Sequence, residues 1–197
     1  MAQAKVQPHT IELWTPGHDA TAFSSGMASI DRYIKNQAAR EMVNRVSLVF
    51  VVTEGNNVIR AYYSLSVLGV VFSELPEKVQ KKLTRYPQMS ATLLGRLGVD
   101  SNYSAELLGR LGEKPRLGEV LLVDAQKKTL QGAMTSAGAA LMVIDAELPT
   151  EEEIANGIRD PLGFYTQYGF VPFPSNERRV FKVTRVIEEE FKQAGLI

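Results

Sequence analysis

The sequence contains no cysteine and only two histidines, His9 and His18, among its 197 residues. Without cysteine the chain has no disulfide, no thiolate zinc site and no cysteine nucleophile, a composition that suits the cytosol. Both histidines lie near the start of the chain, which disfavours a histidine-rich metal site or a serine–histidine triad. We therefore expect no metal ion at the functional site.

The chain also lacks an excess of charge of either sign, because 22 basic residues are balanced by 22 acidic ones. No global field therefore favours nucleic acid or membrane. No apolar run reaches the roughly 20 residues of a membrane helix, and the N-terminal segment has no apolar signal region. With 45% hydrophobic residues, we expect one soluble, cytoplasmic domain spanning residues 1–197, with no membrane partner.

Hydrophobic periodicity and turn residues predict the secondary structure. The predicted strands are Ile11–Trp14, Ser47–Thr53, Val58–Phe72, Leu93–Asp100, Ala140–Ala146 and Arg179–Val186. The predicted helices are Ala28–Arg45, Pro76–Arg85, Leu117–Gly132, Pro161–Tyr168 and Ile187–Ala194. Strands dominate the first half and alternate with helices in the second. This order predicts an α/β or α+β architecture, a mixed sheet with helices on both faces.

The strand Leu93–Asp100 and the helix beginning at Leu117 are the centre of this prediction. A loop with five charged residues is predicted between them. The first turn of a helix has N–H groups without intrahelical partners, and the helix dipole favours an anion there, so this element is predicted to hold a phosphate. The sequence Leu-Leu-Gly-Arg-Leu-Gly occurs at 93–98 and again at 107–112, which indicates a short duplication that lengthened the loop.

Several motifs follow one another in an order that is typical of a known family. They are Phe23–Ile34 before a helix, Gly95–Asp100, Leu117–Ala125 and Gly163–Phe170. With these motifs the chain resembles the Gcn5-related N-acetyltransferases (the GNAT superfamily), most of all the branch that includes the toxin acetyltransferases of bacterial toxin–antitoxin pairs. The resemblance covers roughly residues 23–186, and it implies a mostly antiparallel sheet with a central V-shaped splay between Leu94–Val99 and Ala140–Ile144.

The resemblance implies that acetyl-CoA is the cosubstrate and lies in this splay. It assigns cofactor contacts to Leu97, Gly98, Val99, Leu117, Gly118 and Glu119. A backbone N–H near Gly98 or Val99 would stabilise the oxyanion. Tyr165 would be the catalytic acid that protonates the leaving thiolate of CoA.

The pyrophosphate loop departs from the family pattern. Glu113 would repel a phosphate, Pro115 has no N–H to donate, and Arg116 stands where the family has a glycine. Cations of Arg110, Lys114 and Arg116 would replace the lost amide donors. The alternative is a GNAT-fold protein whose cofactor binding is weakened or lost and which serves as a binding or scaffold protein.

The resemblance implies that the acceptor is a primary amine, and two alternatives remain open for it. One is the α-amino group of an aminoacyl-tRNA, acetylated by a toxin that a small antitoxin restrains. The other is a small-molecule amine. A basic segment with Lys78, Lys81, Lys82 and Arg85 reads either as a solvated helix face or as a contact for the tRNA backbone. The resemblance also implies a homodimer.

Overall fold

The computed structural model of the chain describes residues 10–54, 56–111 and 117–197. The predicted lead-in at residues 1–9 lies outside these ranges. The described residues fall into two compact units, one within Met1–Ser64 and Leu97–Leu117, the other within Leu65–Arg96 and Gly118–Ile197. Each unit is described by itself.

Strands and helices alternate as the sequence predicts, with some additions. The strands are β1 (Ile11–Leu13), β2 (Leu48–Thr53), β3 (Ile59–Val71), β4 (Gln88–Val99), β5 (Leu141–Asp145), β6 (Val171–Phe173) and β7 (Asn176–Val183). The helices are α1 (Ala28–Asn36), α2 (Ala38–Val43), α3 (Glu77–Gln80), α4 (Ser101–Leu111), α5 (Leu117–Thr135), α6 (Glu151–Ala155), α7 (Pro161–Gln167) and α8 (Thr184–Gln193). Among these described helices, none has the length and apolar character that crossing a membrane requires.

The strands form a seven-stranded sheet in the order β1-β2-β3-β4-β5-β7-β6. β1 with β2, β5 with β7 and β6 with β7 are antiparallel pairs, whereas β4 and β5 run parallel. This arrangement confirms the predicted mixed, mostly antiparallel sheet. The parallel register joins Ala91–Leu94 to Leu141–Ile144, after which β4 continues to Val99 and β5 ends at Asp145. The ladder thus ends at Leu94, and β5 continues for only one residue beyond it. The central splay stays a prediction.

The first unit buries the apolar face of α1 against β2 and β3. Ile30, Tyr33 and Ile34 lie in one core cluster with Val49 and Tyr62. The single helix predicted for residues 28–45 is wrong, because α1 ends at Asn36 and α2 begins at Ala38.

The helices α1 and α2 are connected by hydrogen bonds among three polar side chains. The Tyr33 hydroxyl donates to Glu41 Oε2 at 2.8 Å, and Ser47 Oγ donates to the same oxygen at 2.8 Å. These bonds connect α1, α2 and the residue that precedes β2.

The predicted charged loop after β4 is also wrong over residues 101–111, which form α4. Asp100 is 3% exposed, and its Oδ1 accepts a hydrogen bond from the Tyr103 N–H at 2.7 Å. Its Oδ2 accepts a second one from the Ser24 N–H at 2.9 Å. Asp100 therefore caps the helix, while Tyr103 and Leu107, one turn apart, pack in a core cluster with Leu117.

The second unit has further differences from the prediction. The basic helix is limited to Glu77–Gln80, and β4 begins earlier than predicted, at Gln88. The short strand β6 was missed, and it forms a hairpin with β7. The predicted last strand, residues 179–186, starts and ends too late, since α8 already begins at Thr184. The ends of a long strand depend on pairing partners that local patterns do not contain, and β6 has only three residues, one of them a proline, which is depleted in strands.

We predict that Gly98→Ala lowers the free energy of unfolding by about 1–3 kcal/mol, the cost of overpacking a core. A Cβ at Gly98 would lie 2.5 Å from Ile30 Cγ2 and 3.1 Å from Tyr62 Cε1. Urea unfolding measures the change.

The control for this substitution is Gly132→Ala. A Cβ at Gly132, inside α5, would meet no described atom within 4 Å. The loss of a helical glycine should therefore stabilise the protein by about 0.5–1 kcal/mol. Equal effects of the two substitutions would contradict the packing described at Gly98.

Candidate active site

The predicted strand contacts Leu97, Gly98 and Val99 form the C-terminal end of β4, in the first unit. Gly98 is buried, whereas Leu97 and Val99 are half-buried. Val99 packs against the cluster that contains Leu117. The structure therefore brings the end of the central strand and the first residue of α5 together.

The predicted pyrophosphate residues begin α5, whose 19 residues give it a full helix dipole. Leu117 is 4% exposed and belongs to the core. A Cβ at Gly118 would lie 3.7 Å from Phe164 Cζ, so the start of α5 lies close to α7. Glu119 is half-buried in the first turn.

Of the three cations predicted to replace amide donors, the structure describes only the backbone position of one. Arg110 lies in α4, but its side chain is outside the part of the chain that the structure describes. Lys114 and Arg116 lie outside the described residues altogether. Their contact with a pyrophosphate stays a prediction.

Tyr165 lies on α7 and is 6% exposed. Its ring meets the Phe164 ring edge-on at a centroid distance of 5.3 Å, and the Phe170 ring at 6.3 Å. Burial raises the pKa of Tyr165, because the phenolate would lose its hydration. The side chain is therefore a neutral phenol at physiological pH, the form that can donate a proton.

The C-terminus of α7 forms a Schellman motif around a glycine with φ of 79°. The Phe170 N–H donates to the Tyr165 carbonyl at 3.3 Å, and the Gly169 N–H donates to the Thr166 carbonyl at 3.1 Å. The predicted helix stop at Gly169 is confirmed. The motif includes the backbone of Tyr165 itself, so the end of the helix and the proposed acid are one structural unit.

The N-terminus of α7 is capped by Asp160, whose Oδ1 accepts from the Leu162 N–H at 2.9 Å. Arg178 on β7 forms a bidentate ion pair with this carboxylate, with N–O distances of 2.8 and 2.9 Å. The hydrogen bond from Arg178 lowers the pKa of Asp160. Arg178 also donates to the carbonyls of Ala146 and Glu147, at 2.7 and 2.9 Å.

A polar cavity of about 430 Å³ adjoins this pair, and sequence reasoning did not find it. Its walls are Arg96, Asp145, Ala146, Glu147, Asn176, Arg178 and Arg179. Arg179 pairs with Asp145 at 2.6 and 2.9 Å. These residues come from β4, from β5 and the two residues after it, and from β7, so their proximity has no local signal in the sequence. Within the described residues, no cluster of histidine and acidic side chains could hold a metal ion.

No protein-family model matches the chain. Several curated proteins are similar to the chain, and two of them are toxins. A probable toxin TacT of Sinorhizobium fredii is 26% identical over 184 residues, 92% of this chain and 94% of the relative. A tRNA-acetylating toxin of Mycobacterium tuberculosis is 30% identical over 125 residues, 64% of this chain and 68% of the relative.

Two solved structures of AtaT are similar in fold to this chain. AtaT in complex with acetyl-methionyl-tRNAfMet superposes with a TM-score of 0.73 at 22% identity, over 93% of this chain and 99% of that one. An AtaT mutant bound to the antitoxin AtaR and acetyl-CoA has a TM-score of 0.66 at 19% identity, over 94% and 99%.

Fold and relatives together define the class of this protein, an acetyltransferase with the GNAT fold. Within that class, the chain belongs to the toxin acetyltransferases of bacterial toxin–antitoxin systems. The resemblance seen in the sequence motifs is thereby confirmed.

We predict that the charge of Asp160 stabilises the fold in a pH-dependent way. The pKa of Asp160 is lowered in the folded state. Its contribution to the free energy of unfolding is therefore present above the unfolded pKa of about 3.9, and it is lost as the pH falls through the folded pKa. Asp160→Asn keeps the helix cap but removes the charge. Urea unfolding between about pH 2 and pH 6 should show the two proteins differing at the upper end, with the difference shrinking as the pH falls below the unfolded pKa. A difference that is constant with pH would contradict the pairing with Arg178.

Proposed function

We propose that this protein transfers the acetyl group of acetyl-CoA to the α-amino group of an aminoacyl-tRNA, and that it acts as the toxin of a toxin–antitoxin pair. The observation that carries the chemistry is the buried, neutral phenol of Tyr165 on a helix that lies close to the start of α5. The printed names of the relatives, a tRNA-acetylating toxin and AtaT with acetyl-methionyl-tRNAfMet, support the acceptor.

The reaction exchanges the C–S bond of acetyl-CoA for a C–N bond. The neutral amine attacks the thioester carbon, the C–N bond forms, the C–S bond breaks, and the CoA thiolate leaves. Tyr165 gives the thiolate its proton, the nitrogen loses its proton to water, and water returns a proton to the Tyr165 phenolate. A backbone N–H near Gly98 or Val99 would stabilise the oxyanion, and positioning of the two reactants supplies much of the rate.

The residues present fit a bound acetyl-CoA in two respects. β4 extends beyond its pairing with β5, so the strand backbone from Leu97 to Val99 is available to the pantetheine. The first turn of α5, with Gly118, presents N–H groups to a pyrophosphate. Cations of Arg110, Lys114 and Arg116 would complete that site. A printed complex of AtaT with acetyl-CoA supports this cosubstrate.

An exposed basic cluster supports a nucleic acid over a small amine as the acceptor. We define it as Lys78, Lys81, Lys82 and Arg85, all exposed. None of the four has a carboxylate partner among the residues that the structure describes. Tyr86, 60% exposed, borders a cavity of about 310 Å³ together with Arg85. Unpaired cations beside an exposed aromatic ring are the pattern of a nucleic-acid contact.

The remaining expectations belong to the same proposal. AtaT is found with its antitoxin AtaR, and we propose a comparable small partner here. A homodimer, one domain over residues 1–197 and a cytoplasmic location stay predictions. The scaffold-protein alternative rests on the departures at Glu113, Pro115 and Arg116, which lie outside the described residues; the acetyl-CoA complex of AtaT favours the enzyme.

Replacing the proposed acid is the direct test of the chemistry. We predict that Tyr165→Phe lowers kcat by about 10²-fold or more, the usual contribution of a general acid, with little change in KM for acetyl-CoA. Radiolabelled acetyl transfer to charged tRNA measures both constants. Tyr168→Phe, on the next turn of the same segment, is the control and should keep nearly full activity. Full activity of Tyr165→Phe would exclude its role as acid.

A charge-removal variant tests the acceptor. Lys81→Gln, Lys82→Gln and Arg85→Gln together should weaken tRNA binding by about tenfold and reduce the salt dependence by about one unit of slope for each lost phosphate contact. Acetyl-CoA binding should not change. The matched control removes Arg185 and Lys192, which pair with Glu189 and Glu188 on α8. If the triple variant and the control lose tRNA affinity equally, the basic cluster makes no specific contact with the tRNA.

A further inference from the structure

One strand supplies a cation to each end of the helix that carries Tyr165. Arg178 and Lys182 both belong to β7, and they bind the N-terminal and the C-terminal end of α7 respectively. We propose that these two side chains form a two-point clamp that positions Tyr165 for proton transfer. The inference rests on the proposed function, because it assumes that Tyr165 is the acid.

Lys182 is the unusual member, since lysine is rarely buried unless its charge is paired. Its side chain is only 4% exposed. Nζ donates to the Tyr168 carbonyl at 2.8 Å and to Glu190 Oε2 at 2.5 Å. Tyr168 is the C-cap of α7, where a cation satisfies an otherwise unpaired carbonyl and complements the helix dipole. The buried ammonium group therefore binds the C-terminal end of α7.

The contact continues from Lys182 toward Tyr165. A Cβ at Gly169 would lie 3.4 Å from Lys182 Nζ, so the glycine leaves room for the ammonium group. Nζ lies 5.7 Å from the centroid of the Phe170 ring, a cation–π distance. Phe170 in turn packs on the Tyr165 ring and donates its N–H to the Tyr165 carbonyl. One residue therefore separates the lysine from the proposed acid.

Arg178 holds the opposite end through the cap residue Asp160. The spacing on β7 suits both contacts. Four residues along a strand span about 13 Å, and the seven residues of α7 span about 10 Å. The strand is thus long enough to reach both ends of the helix with side chains of ordinary length.

A double-mutant cycle separates positioning from mere stability, because residues that act through one another are not additive. Lys182→Met should lower kcat by about tenfold, since small misplacements of a reacting group are costly, and should leave KM for acetyl-CoA within about twofold. In the Tyr165→Phe background, the same substitution should change kcat by less than about twofold. Lys192→Met, an exposed lysine on α8, is the control and should have no effect in either background.

The outcomes are distinct for the two claims. If the losses from Lys182→Met and Tyr165→Phe multiply, the clamp does not act through Tyr165 and the inference is overturned. If Tyr165→Phe alone keeps full kcat, the assignment of the acid fails, and the clamp fails with it. Arg178→Lys keeps the charge but loses the two-pronged geometry. If Lys182→Met does not fold, the same double-mutant cycle with Arg178→Lys tests whether β7 acts through Tyr165.

Discussion

The hydrogen bonds from β7 to both ends of α7 are the interactions on which the candidate site depends. A helix of seven residues does not form by itself in water, because nucleation is costly and few internal bonds repay it. It needs the Asp160 cap, the Schellman motif at Gly169 and the side chains of Arg178 and Lys182. The position of the Tyr165 phenol is therefore set by tertiary contacts, and its burial beside the rings of Phe164 and Phe170 keeps the phenol protonated.

Local signals were sufficient for parts of this site. A proline at the start of α7 and a glycine after its end predicted the helix that carries Tyr165. The motifs predicted a central strand and a helix beginning at Leu117, and the structure has both; their cofactor contacts stay predictions. Each of these features depends on residues that are neighbours in sequence.

The parts that were missed depend on tertiary contacts that a local sequence pattern does not specify. The same sequence, Leu-Leu-Gly-Arg-Leu, is a strand at 93–97 and a helix at 107–111. Leu94 is buried in a strand that pairs with β5, whereas Leu107 is buried one turn after Tyr103 in a helix capped by Asp100. Identical residues thus take the structure that their surroundings stabilise. The roles of Arg178 and Lys182 were missed for the same reason, since their partners lie up to 32 residues away.

The central claim is that the acetyl group reaches the amino group of an aminoacyl-tRNA. The most direct measurement is mass spectrometry of charged and uncharged tRNA after incubation with the protein and acetyl-CoA. The account predicts the mass of one acetyl group on the amino acid of charged tRNA, and no change in uncharged tRNA. Acetylation of small amines with charged tRNA left unmodified would contradict it.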